Sequence, residues 1–233
     1  NYVMYEWGQP LHAFDADNIK GSSIHVKSFE ETHKFTTLDG AIREVPRGSL
    51  FICDDEQAIA IAGIMGGENS EVSDSTTTIV LESAYFDPSI IRKCAKQLSL
   101  QTDASYRFER GIDSNIQLTA AIRAADLIKE MNPDAVITET IDLHPLPKKT
   151  SELSLRVSRV NQILGVDIDE EWIINKLNRL EITSKRNGSG TIECLIPSFR
   201  PDIEREIDLI EEIGRLYDYN NIPSPTNGIN LSS

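Results

Sequence analysis

Cysteine is scarce and badly placed for cross-linking: Cys53, Cys94 and Cys194 are odd in number, far apart, and form no C-x-x-C pair. That pattern signals neither a disulfide framework nor a zinc site, and it fits a reducing, cytoplasmic setting. Basic residues are also short, with 23 Lys and Arg against 37 Asp and Glu, for a formal charge of −14. The deficit is spread along the chain, since both the first 150 residues and the remainder are acidic. Such a balance is the opposite of the footprint expected for a protein that grips a phosphate backbone unaided, so DNA is not an expected partner. No run approaches the roughly 20 apolar residues of a membrane span, and no charged segment leads into an apolar one as in a signal peptide. The chain opens on Asn1 rather than Met, which reads as a segment of something longer.

The 233 residues are 39% hydrophobic, enough for one large core or two moderate ones. The first part reads as short strands joined by tight turns: "SSIHVKSF", "KFTTLDGAIREV", "SLFICDD", "AIAIAGIMGG" and "TTTIVLESAYF" are rich in β-branched residues and bounded by Asp, Gly and Pro. The Asp-Gly of "LDGA" tolerates the positive φ a hairpin turn needs. "FDPSIIRKCAKQLSL" predicts a helix capped by Asp87 with Pro88 at its first position. "SNIQLTAAIRAADLIKEM" predicts a longer helix with Ile116, Ala120, Leu127 and Met131 near helical periodicity, and "AVITETIDL" a strand. "HPLPKKTSE" is the clearest linker, placing a boundary near residue 150. Beyond it come a strand "ELSLRV", a helix "SRVNQILG" ending on Gly165, a helix capped by Asp169, an Asn-Gly-Ser-Gly hairpin, and a last helix whose stripe is Ile203, Ile207, Ile210, Ile213 and Tyr217. The expectation is α+β throughout, in two units.

Several polar positions carry two readings. "GIMGG", Gly63 to Gly67, follows an apolar strand and either lets backbone approach a ligand or is a tight turn; it lacks the Lys-Ser/Thr of a phosphate loop. Glu82 lies in "IVLESAY" on the face opposite Leu81 and Ser83, either at a wet sheet edge or desolvated with its pKa raised, and the residues alone tilt toward the edge. His12 in "PLHAF", taken alone, reads as a packed histidine. Neither has a Ser or Cys partner of the kind a covalent hydrolase uses. "TDAS" before "YRFERG" is a helix entry signal, and Arg107, Glu109 and Arg110 fit a solvated salt-bridge cluster. Asp202, Asp208, Glu211 and Glu212 form an acidic set near the last helix. All-oxygen ligands of this kind suit magnesium, and a solvated acidic face fits equally well.

Taken together, "NYVMYEWGQPLHAFD", "AIAGIMGGENSEVSDSTTTIVLESAYFDPSIIRKCAKQLSLQTDASYRFERGID" and "PSFRPDIEREIDLIEEIGRLYDYNNIP" resemble the bacterial phenylalanyl-tRNA synthetase β-subunit family, in order and over most of the chain. The resemblance implies a tRNA-editing domain of mixed sheet and helix over residues 1–147. A small winged-helix-like α+β domain, similar to DNA-binding modules, would follow over 151–223, with 224–233 as a tail. It implies hydrolysis of tyrosyl-tRNA(Phe) by this segment, within an α2β2 ligase that charges tRNA(Phe) with ATP on the α subunit. The rival reading is a noncatalytic scaffold that positions tRNA and docks subunits. By the same resemblance, His12, Gly63, Gly66, Glu82, Thr102, Ala104 and Asn1 line the editing pocket. Glu82 would accept the tyrosine hydroxyl, the glycines would offer NH donors to the ester, and His12 and Thr102 would position substrate and water. Asp202, Asp208, Glu211 and Glu212 would bind Mg2+, completed by the α subunit.

Overall fold

The computed structural model describes residues 1–143, 150–188 and 190–223. The chain divides into two compact units, Asn1–Pro145 and Leu146–Ser233. Most of the expected linker, residues 144–149, and the expected tail, 224–233, lie outside the described residues, as does Ser189 of the expected hairpin turn. Among the described residues no helix is long and apolar enough to cross a membrane.

The first unit opens with a short helix, α1 (Tyr2–Trp7), stopped by Gly8 in the left-handed conformation, φ 74°. Strand β1 (Leu11–Asp15) then pairs antiparallel with β8 (Ile79–Ser83) in an isolated two-stranded ribbon. Between them lie a four-stranded sheet of order β2-β5-β6-β7, made by His25–Ser28, Leu50–Cys53, Ala58–Ile61 and Met65–Gly66, and a hairpin of β3 (His33–Thr36) and β4 (Ile42–Val45). The Asp39-Gly40 turn closes that hairpin as expected, with Gly40 at φ 72°. Helices α2 (Pro88–Leu98), α3 (Asp103–Phe108) and α4 (Gln117–Met131) complete the unit. Its core gathers Phe14, Phe35, Phe51, Ile59, Ile61, Phe86, Ile91 and Phe108.

The helix caps follow the sequence. Asp87 accepts from the backbone N–H groups of Ser89 and Ile90, with Pro88 at the first helical position. In α4, by contrast, the expected apolar stripe is only partly used, since Ala120 is buried and Met131 is exposed. The segment 135–143 forms no strand, and Val136, Ile137, Ile141 and Leu143 stand exposed along it. Strand propensity alone cannot build a strand without a neighbouring edge to pair with.

The second unit is a small α+β domain of the winged-helix-like kind. Strand β9 (Ser151–Arg156), helices α5 (Val157–Leu164) and α6 (Glu170–Arg179), the hairpin β10 (Thr183–Arg186) and β11 (Thr191–Ile196), and helix α7 (Glu206–Tyr217) follow in order. The sheet order is β10-β11-β9, antiparallel throughout. Asp169 caps α6 by accepting from Glu171 and Trp172, and Gly165 ends α5 at φ 69°. The stripe of α7 departs from the expected one: Ile207 is 43% exposed, and Leu209 joins Ile210 and Ile213 in the core. Ile203 is buried but precedes the helix, so its phase could not extend the helical pattern backwards.

Candidate active site

The β1–β8 ribbon sets the site. Its register pairs His12 directly with Glu82, and Phe14 with Val80. Side chains of directly paired residues lie on one face of the ribbon, about 4.5–5.5 Å apart at Cβ, and alternation puts Leu81 and Ser83 on the other face. Phe14 is buried in the core and Val80 packs against it, so the His12–Glu82 face is the inward one. The opposite face meets α4, where the Ser83 hydroxyl donates to the Gln117 carbonyl at 2.7 Å. Gln9, fully buried, locks this layer: its amide donates to the carbonyls of Pro10 and Ala84 at 2.9 Å, and it accepts from the Gln117 amide at 3.0 Å. Gln9 and Gln117 were not singled out by the sequence, because nothing local marks a Gln whose partners lie 75 and 108 residues away.

Glu82 is partly buried, and desolvation pushes its carboxyl up to about 7. The wet-edge reading is thereby corrected: β8 is an edge in sheet terms, but the packed inward face removes water from this side chain. His12 is also held below the usual imidazole range by burial. Its Nε2 is buried without a hydrogen-bond partner, and its ring meets Phe14 edge-on at 4.6 Å. Buried polar atoms are nearly always bonded, so an unbonded ring nitrogen beside a desolvated carboxyl is an exception to the usual packing of polar groups.

Gly66 forms the wall against His12. A Cβ there would lie 2.6 Å from both Cε1 and Nε2 of the imidazole and 3.0 Å from a Leu38 methyl, so only glycine lets the β6–β7 backbone approach the ring. Gly63 acts differently. It sits at φ +67°, and a Cβ would meet the rings of Phe86 and Phe108 at 2.9 and 3.0 Å and the Ile91 methyl at 3.2 Å. On its Cβ side its neighbours are core side chains, which leave no room for any residue but glycine.

Thr102 is tied to the turn that leads to Gly66. Its hydroxyl accepts from the Ser105 N–H at 3.1 Å in a capping box and donates to the Ile64 carbonyl at 2.9 Å. The helix-cap reading therefore holds, and the one hydroxyl proton is already committed to backbone. Ala104 packs partly buried against the core. Asn1 is exposed at the start of α1 and makes no side-chain cap. Cys53 and Cys94 are buried and desolvation raises both thiols, which leaves them poor nucleophiles.

The acidic set of the second unit is not brought together as an ion site. Arg200 clamps Asp202 with two nitrogens, at 2.9 and 2.6 Å, and reaches Glu212 at 3.0 Å. Asp208 accepts from the backbone of Glu204 and Arg205 at 3.1 and 2.8 Å, and Glu211 is exposed. Hydrogen bonding to Arg200 holds Asp202 below the usual carboxylate range. Burial raises Glu212, but Arg215 and Arg200 outweigh it and leave it lowered. Among the described residues, no three acidic, histidine or cysteine side chains are placed to hold a metal. In this arrangement a guanidinium supplies the positive charge, and the four carboxylates do not fit an ion.

Residues 1–133 match the family described as B3/4 domain, and residues 153–219 match the tRNA synthetase B5 domain. Three curated relatives are named phenylalanine–tRNA ligase beta subunit. The one from Salinibacter ruber is 46% identical over 225 residues, 97% of this chain and 27% of the relative. Those from Geobacter metallireducens and Thermotoga maritima are 48% and 44% identical, each over 96% of this chain and 28% of the relative. The chain thus spans little more than a quarter of the length of the relatives it matches. A solved N-terminal fragment of the phenylalanyl-tRNA synthetase beta-subunit from Pyrococcus horikoshii is 14% identical with a TM-score of 0.45, a likeness too weak to carry an argument.

Proposed function

The chain belongs to the B3/4-domain family, continues into a tRNA synthetase B5 domain, and matches a segment of phenylalanine–tRNA ligase β subunits, and from that premise we propose that its first unit hydrolyses the ester of tyrosyl-tRNA(Phe). A pocket shaped for phenylalanine rejects an analogue that merely adds a hydroxyl only weakly, by about 10²-fold, whereas a site built to bond that hydroxyl discriminates by about 10⁴–10⁵. A second site that bonds the phenol is the physical remedy for mischarging with tyrosine.

The single observation that carries this reading is the desolvated Glu82 carboxyl paired across the ribbon with an unbonded His12. A tyrosine phenol donates to Glu82 as its carboxylate and replaces the water that packing removed. A phenylalanine ring leaves the carboxyl buried and unpaired, a cost of about 1–3 kcal/mol or more for a charged group. His12, with its pKa held down, is a neutral ring at neutral pH, and its free nitrogen is available to a polar atom of the substrate. Gly66 and Thr102 hold that ring and the "GIMGG" turn in place. Water then attacks the ester carbonyl carbon, the bond to the terminal ribose oxygen breaks, that oxygen takes a proton, and tyrosine leaves.

The whole ligase is proposed to be a cytoplasmic α2β2 assembly that charges tRNA(Phe) with ATP and Mg2+ on the α subunit. No step of the editing reaction is assigned to a metal of this chain, because Arg200 already occupies Asp202 and Glu212 and Arg205 meets Asp208. The exposed apolar segment 135–143 supports a docking role for the first unit as well, which is what the scaffold reading requires.

The test is deacylation of tyrosyl-tRNA(Phe) and phenylalanyl-tRNA(Phe) by the assembled enzyme with and without Glu82→Ala. Loss of the preference for tyrosine by at least about 10²-fold is expected. Equal background hydrolysis in both forms would leave the scaffold reading in its place.

A further inference from the structure

The face that α1 and α3 turn to solvent is rich in flat rings. Tyr2, Tyr5 and Trp7 of α1 and Tyr106 of α3 are 63%, 65%, 43% and 46% exposed. They are four of the chain's eight Tyr and Trp residues, and their exposure is unexpected where each could bury a large apolar surface.

Arginines back three of these rings. The Arg110 guanidinium lies 3.5 Å from the Tyr106 ring centre, Arg107 lies 4.9 Å from that of Tyr5, and Arg123 lies 6.0 Å from that of Tyr2. Three of the six arginines of the first unit are thus spent here. The rings are also fixed in place. The Tyr5 hydroxyl donates to Asp103 at 3.0 Å, and Glu6 holds Arg123 through two nitrogens at 2.9 and 3.0 Å while accepting from the Trp7 indole at 3.1 Å. With Glu6, Asp103 and Glu109 facing the three arginines, the face is neutral within a chain of net charge −14.

This face is connected to the candidate site through a short series of bonded and adjacent residues. Asp103, which Tyr5 grips, follows Thr102, and Thr102 is bonded to Ile64 two residues before Gly66, the wall of His12.

We infer that the exposed Tyr2, Tyr5 and Tyr106 rings form a stacking platform for the unpaired 3′-terminal bases of the RNA that carries the ester. Rings with one face against a guanidinium offer the other to a base, and such stacking tolerates any base because every base has a π-face. Local neutrality removes the repulsion that the acidic chain otherwise presents to phosphates. The inference rests on the editing reading for its RNA, and it adds how the end of that RNA is held outside the pocket.

The test uses the assembled enzyme carrying the full β subunit with Tyr5→Leu and Tyr106→Leu combined, and with Tyr5→Phe and Tyr106→Phe combined. Leucine keeps apolar bulk and loses the π-face, whereas phenylalanine keeps it. The expected result is that the Leu form raises KM for tyrosyl-tRNA deacylation, and the inhibition constant of the free tetranucleotide ACCA, by about tenfold or more, while the Phe form, which keeps both rings and loses only the Tyr5–Asp103 bond, is shifted clearly less. Unchanged constants in the Leu form overturn the platform. So does dissociation of the assembly on Leu substitution, which marks the face as a protein contact. Should the wild-type enzyme fail to deacylate tyrosyl-tRNA, the editing reading falls and ultraviolet cross-linking of ACCA decides the platform alone: adducts on Tyr5 or Tyr106 sustain it and their absence removes it.

Discussion

His12 and Glu82 are directly paired across β1 and β8, so an imidazole held below its ordinary pKa and a carboxyl raised to about 7 share one inward face. Both shifts have the same cause, desolvation, and both favour the neutral form. Two groups that are 70 residues apart in sequence are therefore biased toward their uncharged forms by the same packing, and a substrate that brings its own hydroxyl changes that balance.

Stability should carry the mark of Glu82. Its folded pKa, about 7, exceeds the ordinary 4.5, so its contribution is fully present below pH 4.5, declines as pH rises toward 7, and is flat above. The loss is about 3 kcal/mol at most, by linkage. Urea denaturation of the chain between pH 4.5 and 8 is expected to show Glu82→Gln gaining on wild type as pH rises. Parallel curves would show that the carboxyl is hydrated.

Gly66→Ala is expected to displace the His12 ring, because the added methyl would sit 2.6 Å from two ring atoms. Overpacking of this kind costs about 1–3 kcal/mol. Deacylation should fall more steeply than stability, and a crystal structure of the variant should show the imidazole rotated away from Glu82. Full activity with an unmoved ring would remove Gly66 from the site.

Thr102→Val keeps shape and removes the hydroxyl that both caps α3 and holds the Ile64 carbonyl. A loss of about 1–2 kcal/mol is expected in chemical denaturation, with Thr102→Ser close to wild type. Faster amide hydrogen exchange at Ser105 would locate the effect at the helix start.

Arg200→Met should expose the acidic set of the second unit. Asp202 and Glu212 are both held below the ordinary carboxylate range in the fold, so the stability they share with Arg200 is present above about pH 4 and disappears as pH falls through their lowered values. Removing the guanidinium is expected to cost about 1 kcal/mol at pH 7, with wild type and variant converging as acid protonates both carboxyls. Calorimetric titration of the wild-type chain with millimolar MgCl2 should give no binding heat. A saturable signal there would show that an ion displaces Arg200.

Much of the local structure was legible because its causes are local. Asp87, Thr102 and Asp169 cap helices by reaching two or three residues along the chain, and Asp39-Gly40 turns a hairpin by its own φ preference. The alternation that separates Glu82 from Leu81 and Ser83 is likewise a property of one strand. The strand expected over 135–143 failed because a strand needs an edge to pair with, and no propensity supplies one. In α7, Ile207 faces solvent and Leu209 the core, because Ile203 lies before the helix begins and does not set its phase.

The sequence by itself determined the α+β class, the caps and turns, and which polar residues stood in apolar surroundings. Only the tertiary structure decided what those residues are. Pairing of β8 with β1 brought Glu82 to His12, the approach of Gly66 closed off the ring, and packing removed the water that would have kept both groups near their ordinary pKa values. Arg200 became the counter-ion of Asp202 and Glu212 for the same kind of reason. Desolvation and ion pairing depend on what surrounds a group in space, and the chain order of a sequence does not record that.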